Sequence, residues 1–120
     1  MFRKRERSAL ERSLMNEGVD LYSDVGRALL HKMIECGYLD DEVIIESHSL
    51  EQEEVLIVQE KDTQEWMASI KVYKSECSKN GASRIHLWWP YSPGAIVSGG
   101  EDYMYIYSKY DIYGKLIADV

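Results

Sequence analysis

The residues best suited to chemistry in this chain are aromatic side chains in its last third. Rings cluster between positions 88 and 113, among them Trp88, Trp89, Tyr91, Tyr103, Tyr105, Tyr107 and Tyr113. Tyr and Trp bury a large area for a small loss of conformational entropy, so they are enriched at protein interfaces. They also stack on nucleic-acid bases and on sugar rings. Their third use is cross-strand packing, with the hydroxyl groups left in water.

Carboxylates accompany these rings. Residues 84–120 carry Arg84, Lys109 and Lys115 against Glu101, Asp102, Asp111 and Asp119, a balance of −1. Base-stacking modules need a basic groove, so this balance favours a protein partner with a basic surface over nucleic acid. We therefore predict a partner-binding surface that consists of Trp88, Tyr91, Tyr103, Tyr105, Tyr107, Glu53, Glu54, Glu101 and Asp102.

The histidines are the candidates for catalysis. His31, His48 and His86 have no motif neighbours, because the sequence contains no H-x-x-x-H, G-x-S-x-G or C-x-x-C pattern. A nucleophile and a base need only meet in space, so a small hydrolase that uses His48 or His86 is one alternative function. We expect the protein not to be an enzyme.

Metal and phosphate sites are not predicted either. Asp40, Asp41 and Glu42 have oxygen ligands, but they lack the spacing of an EF-hand loop and are typical of a solvated turn. Gly99 and Gly100 precede no helix that carries Lys-Ser or Lys-Thr, as a phosphate-binding loop would require. We therefore expect no cofactor and no metal.

The formal charge of −7 is unevenly distributed along the chain. Residues 1–12 carry five basic and two acidic side chains, a local +3, so the remainder carries −10. An acidic body attracts basic surfaces and repels phosphate backbones. This pattern favours an inhibitor or regulator that docks on a basic protein surface, including that of a nucleic-acid-binding protein. The basic arm is interpreted as a helix start that pairs with the acidic body.

Cysteine usage and hydropathy predict the compartment. Cys36 and Cys77 lie 41 positions apart, and no secretory signal or membrane-spanning run is recognised. We expect a cytoplasmic protein with reduced thiols that contacts neither a membrane nor nucleic acid directly. A homo-oligomer is compatible with the aromatic surface.

Two helices are predicted to precede the strands. The first spans residues 3–16, with a thin apolar stripe at Leu10 and Leu14. The second spans residues 21–36 and begins at an N-cap, either Asp20 or Ser23. Its apolar residues recur at helical spacing, at Val25, Leu29, Leu30, Met33 and Ile34. Gly37 ends it.

Alternating and apolar runs predict strands at residues 43–47, 55–58, 66–73 and 84–89, with a short edge strand at 95–97 and an exposed loop at 75–83. In the strand at 66–73, the pattern predicts one face with Trp66, Ala68, Ile70 and Val72 and the opposite face with Met67, Ser69, Lys71 and Tyr73. Residues 102–120 predict a terminal hairpin, in which Tyr103, Tyr105 and Tyr107 lie on one face while Met104 and Ile106 lie on the other.

These elements predict an α+β fold, with two N-terminal helices followed by a five- or six-stranded antiparallel meander and the second helix packed on one face. We expect a single domain over residues 1–120, with a basic helical arm at 1–17, a core helix at 20–37 and the sheet at 43–120. The preferred function is a small, acidic, non-enzymatic protein-interaction domain. Another alternative is a small-ligand or carbohydrate-binding domain that uses the aromatic face of the sheet.

Overall fold

The computed structural model describes residues 7–77, 83–89 and 100–106 together with Tyr113. The helices are α1 (Ala9–Asn16) and α2 (Asp24–Glu35). The strands are β1 (Val43–Ser49), β2 (Glu53–Glu60), β3 (Trp66–Cys77), β4 (Ser83–Trp89) and β5 (Gly100–Ile106). The predictions for residues 1–6, for the strand at 95–97 and for the hairpin beyond residue 106 lie outside the described residues.

The first helix begins later than the sequence predicts. Ser8 has an extended backbone (φ −64°, ψ 163°), and its Oγ accepts a hydrogen bond of 3.1 Å from the Glu11 N–H. A serine in this role is an N-cap, so α1 starts at residue 9 rather than at residue 3. The expected apolar stripe is present, since Leu10 and Leu14 are fully buried.

The second helix starts at residue 24 rather than at residue 21, because Ser23 is its N-cap. The Ser23 Oγ accepts a hydrogen bond from the Gly26 N–H at 3.0 Å and donates one to the Asp20 carbonyl at 2.7 Å. The predicted stripe faces the core, where Val25, Leu29 and Met33 are fully buried. Gly37 follows the helix with φ of +95°, a conformation that favours glycine.

The described strands form one antiparallel sheet in the order β1-β2-β3-β4-β5. Each strand pairs with the next along the chain. The α+β class, with helices before an antiparallel sheet, is confirmed. The predicted loop at residues 75–83 is partly wrong, because β3 continues to residue 77 and β4 begins at residue 83. An irregularity between Val72 and Cys77 separates the two paired parts of β3 and β4.

A bulge between β2 and β3 overturns one predicted side-chain direction. The register shifts between Val58 and Gln59, whose partners are Ala68 and Trp66, so β3 contains one extra residue there. Such an insertion breaks strict alternation. The Trp66 indole N–H accordingly donates to the Ser69 Oγ at 2.7 Å, which puts Trp66 on the side of Ser69 rather than on that of Ala68.

The helices and one face of the sheet enclose the hydrophobic core. Leu56, Ile70 and Leu87 are in register across β2, β3 and β4, and each is at most 1% exposed. They belong to the same buried cluster as the apolar residues of α1 and α2, and α2 contacts β3. We call this side the covered face and the opposite side the open face.

Side chains of α1 and its C-cap also bond the backbone of the edge strand. The Ser13 Oγ accepts a hydrogen bond from the Val43 N–H at 2.8 Å and lies 3.2 Å from the Val43 carbonyl oxygen. A Glu17 carboxylate oxygen accepts a bond from the Ile45 N–H at 3.2 Å. These bonds satisfy outward-facing groups of β1 and hold α1 at one edge of the sheet.

Candidate functional site

The open face carries aromatic and charged side chains in adjacent rows. One row crosses β2 to β5 through Ile57, Ser69, Trp88 and Glu101. The next row consists of Val55, Lys71 and His86. Neighbours in such rows are close enough to interact directly. The register therefore brings rings, cations and carboxylates together on the side of the sheet away from the helices.

One cluster on the open face surrounds Tyr73. The Lys71 ammonium lies 3.4 Å from a Glu53 carboxylate oxygen and 5.7 Å from the centre of the Tyr73 ring. The Arg84 guanidinium carbon lies 5.1 Å from the same ring centre. Cations at these distances are attracted by the ring quadrupole. Both cations are thereby held against the sheet, and the Lys71 side chain is only 27% exposed.

A second cluster consists of His86, Trp88 and Glu101. The ring centres of His86 and Trp88 are 4.6 Å apart, with 44° between the ring planes. His86 Nε2 lies 3.0 Å from a Glu101 carboxylate oxygen, within hydrogen-bonding distance. The His86 side chain is 14% exposed, whereas that of Glu101 is 63% exposed. The carboxylate therefore reaches the solvent while the imidazole lies against the sheet.

The two histidines of the hydrolase alternative each lie beside a carboxylate. His48 Nε2 is 3.3 Å from a Glu46 carboxylate oxygen on exposed β1, and His86 is beside Glu101. A carboxylate can orient an imidazole for base catalysis. Hydrolysis would also require a nucleophile beside the other nitrogen of the histidine ring. A carboxylate and a histidine alone therefore do not make a hydrolytic site.

The predicted acidic residues Glu53 and Glu54 lie on opposite faces. Glu53 is on the open face beside Lys71, with its side chain 25% exposed. Glu54 pairs with Val72 on the covered face and is buried at 9% exposure. The expectation of an exposed carboxylate at Glu54 is therefore wrong, because neighbouring residues of a strand point to opposite sides.

The register relates the other predicted partner-binding residues to β4. Glu101 and Trp88 are paired on the open face, and the backbone of Asp102 pairs with that of Leu87. The register pairs Tyr103 with His86 and Tyr105 with Arg84, both residues of the open face. Trp88 is half-buried. The predicted contacts of Tyr91 and Tyr107 lie outside the described residues.

Sequence reasoning missed part of the open face. It did not select Lys71, Tyr73 or Arg84 as site residues and selected His86 only for the hydrolase alternative, although alternation along β3 and β4 already separated them from the buried positions. Trp66 was assigned to the wrong side, because the bulge beside Gln59 depends on how β2 pairs with β3. For most of these residues, the signal in the sequence is the alternation of side chains between the two faces, compared along β3 and β4 together.

A cavity of about 240 Å³ lies at one end of the sheet. Its walls come from residues 36–41, after α2, and from residues 60–67, around the β2–β3 turn. The lining residues are Cys36, Gly37, Tyr38, Asp41, Glu60, Glu65, Trp66 and Met67. Tyr38 and Met67 are buried, Asp41 is half-buried and Glu65 is exposed. We call it the acidic–aromatic cavity, because carboxylates and rings dominate its walls.

The titratable groups of this cavity reflect burial and negative charge. Burial raises the pKa of the Tyr38 phenol, and neighbouring Cys36, Asp41 and Glu65 raise it further. Burial also raises the pKa of the Cys36 thiol, against an opposing effect of the nearby Lys32 ammonium. The thiol and the phenol therefore remain neutral at neutral pH, and the charges of the cavity come from its carboxylates.

The carboxylate of Glu60 is fixed by the turn that follows β2. One oxygen accepts hydrogen bonds from the Thr63 N–H at 2.6 Å, the Thr63 hydroxyl at 2.8 Å and the Asp62 N–H at 2.9 Å. Two hydrogen bonds from Thr63 lower the pKa of Glu60, and the bond from the backbone N–H has a larger effect than the bond from the hydroxyl. Glu60 is therefore an ionised and oriented part of the cavity wall.

A second cleft, of about 280 Å³, separates α1 from the start of β1. Its lining includes two cations, Arg12 and Lys61, and two carboxylates, Glu17 and Glu42. Lys61 lies 3.7 Å from Glu42, and both side chains are more than half exposed. Charges of both signs in one open cleft select no single class of ligand.

Comparison with known proteins gives no match to a family model, to a curated protein or to a solved structure. Among the described residues, no helix is long and apolar enough to cross a membrane. The same part of the chain contains no group of three or more His, Cys, Asp or Glu residues arranged to hold a metal ion.

Proposed function

We propose that the chain is a non-enzymatic protein-interaction domain that docks its open face on the basic surface of a partner protein. The observation that carries this proposal is the exposure of two carboxylates on that face. Glu101 and Glu46 are 63% and 54% exposed, whereas Lys71 and Glu53, which lie against each other, are 27% and 25% exposed. A partner approaching the open face therefore meets the carboxylates of Glu101 and Glu46 before it meets the Lys71–Glu53 pair.

The aromatic rings supply the contact area for such a partner. Trp88 and Tyr73 are half-buried, and each already contacts a charged or polar neighbour, so their orientations are restricted before binding. Rings held in this way lose little conformational entropy on association. Exposed carboxylates around such rings match a basic surface in charge.

The overall charge supports an inhibitory or regulatory role. The chain carries −7 in 120 residues, so long-range attraction accelerates encounters with a basic protein. In a partner that itself binds nucleic acid, the basic surface that contacts phosphates is the region complementary to this acidic chain. Occupation of that surface by carboxylates would compete with the phosphate backbone.

The test compares two charge reversals of equal size. Glu101→Lys changes the open face, whereas Glu51→Lys changes an exposed residue in the turn between β1 and β2. Tagged wild-type protein captures partners from lysate, and the dissociation constant of the principal purified partner is then measured at low and high salt. We expect weaker binding at high salt, a large loss with Glu101→Lys and little loss with Glu51→Lys. Equal effects of the two substitutions would contradict docking through the open face.

A further inference from the structure

The acidic–aromatic cavity has a composition that selects its ligand. Each charged residue in its described lining is acidic: Asp41, Glu60 and Glu65. The nearest basic residue along the chain, Lys61, is directed to Glu42 at 3.7 Å and lines the other cleft. The cavity therefore combines negative charge with apolar and aromatic walls.

The charge of Lys32 reaches Cys36 in the lining of this cavity, but the Lys32 ammonium is itself paired with Glu35 at 2.9 Å. Within the described part of the chain, the ion pairs involve neither Asp41 nor Glu65. Both carboxylates are close enough to Tyr38 to raise the pKa of that buried phenol, so their field extends into the cavity. A cation that entered would meet this field in surroundings drier than bulk water.

The aromatic wall is held in place from outside the cavity. The Trp66 indole N–H donates to the Ser69 Oγ at 2.7 Å, and Ser69 is 2% exposed. Ser69 pairs with Trp88, so Trp66 connects the cavity to the open face. A flat ring beside carboxylates suits a planar cation, which can stack and donate forked hydrogen bonds at the same time.

We propose that the acidic–aromatic cavity binds the guanidinium group of an arginine side chain from the basic partner protein. A volume of about 240 Å³ accommodates a side chain rather than a folded segment. Guanidinium fits better than the ammonium of lysine, because it is planar and more weakly hydrated. This inference rests on the proposed function only for the origin of the arginine. The cavity and its carboxylates are independent of the open face.

The experiment uses a short peptide as the probe, acetyl-Gly-Arg-Gly-amide. Its control replaces arginine with citrulline, which has nearly the same shape and no charge. Amide signals of the full chain, labelled with nitrogen-15, are followed during titration with each peptide. We expect the arginine peptide to shift signals of residues 36–41 and 60–67, with millimolar affinity, and the citrulline peptide to leave them unchanged.

Paired variants locate the binding site. Asp41→Asn with Glu65→Gln removes two negative charges from the cavity, and Asp24→Asn with Glu51→Gln removes two elsewhere. Asp41 is half-buried and the other three residues are exposed, so both variants should fold. Because two charge-assisted contacts are lost, the affinity of the cavity variant for the arginine peptide should fall roughly tenfold or more. The control variant should bind within about twofold of wild type, because exposed, distant charges interact weakly.

Three results would overturn the inference: equal shifts from the citrulline peptide, equal affinity of the two variants, or no shifts in the named segments. None of them decides the proposed function, which is tested by the open-face substitution Glu101→Lys. Conversely, equal effects of Glu101→Lys and Glu51→Lys on partner binding, together with an intact arginine titration, would contradict the proposed function and leave the cavity assignment standing.

Discussion

Glu53 and Glu54 are adjacent in sequence but lie on opposite faces of the sheet. Glu53 has a carboxylate oxygen 3.4 Å from Lys71 Nζ on the open face, whereas Glu54 is buried at 9% exposure on the covered face. Strand geometry requires this separation, since successive side chains point to opposite sides. The two acids therefore differ in how much they affect the stability of the fold and in whether a partner on the open face can contact them.

The first prediction concerns replacement of each acid by alanine. Glu54→Ala should lower the free energy of unfolding by about 1–3 kcal/mol, because the change disturbs a buried and interacting polar group. Glu53→Ala should cost less than about 1 kcal/mol, because its ion pair with Lys71 is partly solvated. Urea unfolding measures both values. A larger loss for Glu53→Ala would contradict the assignment of the two faces.

The second prediction concerns Gly26, the third residue of α2. A Cβ atom built at Gly26 would lie 2.2 Å from the Asp20 carbonyl oxygen, a contact that requires the backbone to move. Gly26→Ala should therefore destabilise the protein by about 1–3 kcal/mol despite the better helix propensity of alanine. Thermal and urea unfolding provide the measurement.

Gly37 supplies a control for that substitution. Its φ is +95°, and a Cβ atom there would meet nothing within 4 Å. Asparagine tolerates the left-handed region better than other side chains, so Gly37→Asn should cost less than Gly26→Ala. If Gly26→Ala instead stabilised the protein, helix propensity would outweigh the close approach to Asp20.

The local part of the fold follows from sequence patterns. The apolar spacing of Val25, Leu29 and Met33 identifies the buried side of α2, and the hydroxyl of Ser23 marks its start. Alternation along β4 separates buried Leu87 from half-buried Trp88. These features depend on neighbours a few residues apart, which a single sequence displays directly.

The remaining features depend on contacts between distant segments. The bulge beside Trp66 arises from the pairing of β2 with β3, and no local pattern marks it. Burial of Glu54 depends on which face the helices cover. The acidic–aromatic cavity joins residues 36–41 to residues 60–67, so neither segment alone indicates a site. Sequence analysis identified the individual acids and rings but not their grouping.

The third prediction concerns the titration of Glu60. Hydrogen bonds from Thr63 lower the pKa of Glu60, so its ionised form is favoured in the folded protein. The resulting stabilisation is present above the ordinary pKa of a glutamate and is lost as the pH falls through the lowered value. Thr63→Val removes the hydroxyl bond and should raise the pKa of Glu60 toward its ordinary range.

Carbon-13 detection of the glutamate side-chain carboxyl signals measures this change, with Glu60→Gln identifying the resonance. Thr63→Ser is the matched control, because it keeps a hydroxyl group and should retain most of the shift. An unchanged titration of Glu60 in Thr63→Val would show that the backbone bonds alone account for its lowered pKa.

The last prediction concerns Tyr38 in the wall of the cavity. Burial raises the pKa of its phenol above the ordinary value of 10.0, and the negative charge of Asp41 adds to that effect. A raised pKa contributes stability that is present below the ordinary value and is lost as the pH rises through the folded value. Asp41→Asn removes one negative charge, so it should lower the pKa of Tyr38 without returning it to the ordinary value, since burial remains.

Carbon-13 labelling of the tyrosine Cζ atoms, with Tyr38→Phe for assignment, measures the titration. Glu51→Gln removes an equal charge far from the ring and should leave the pKa of Tyr38 unchanged, whereas equal shifts in the two variants would place the field of Asp41 outside the cavity.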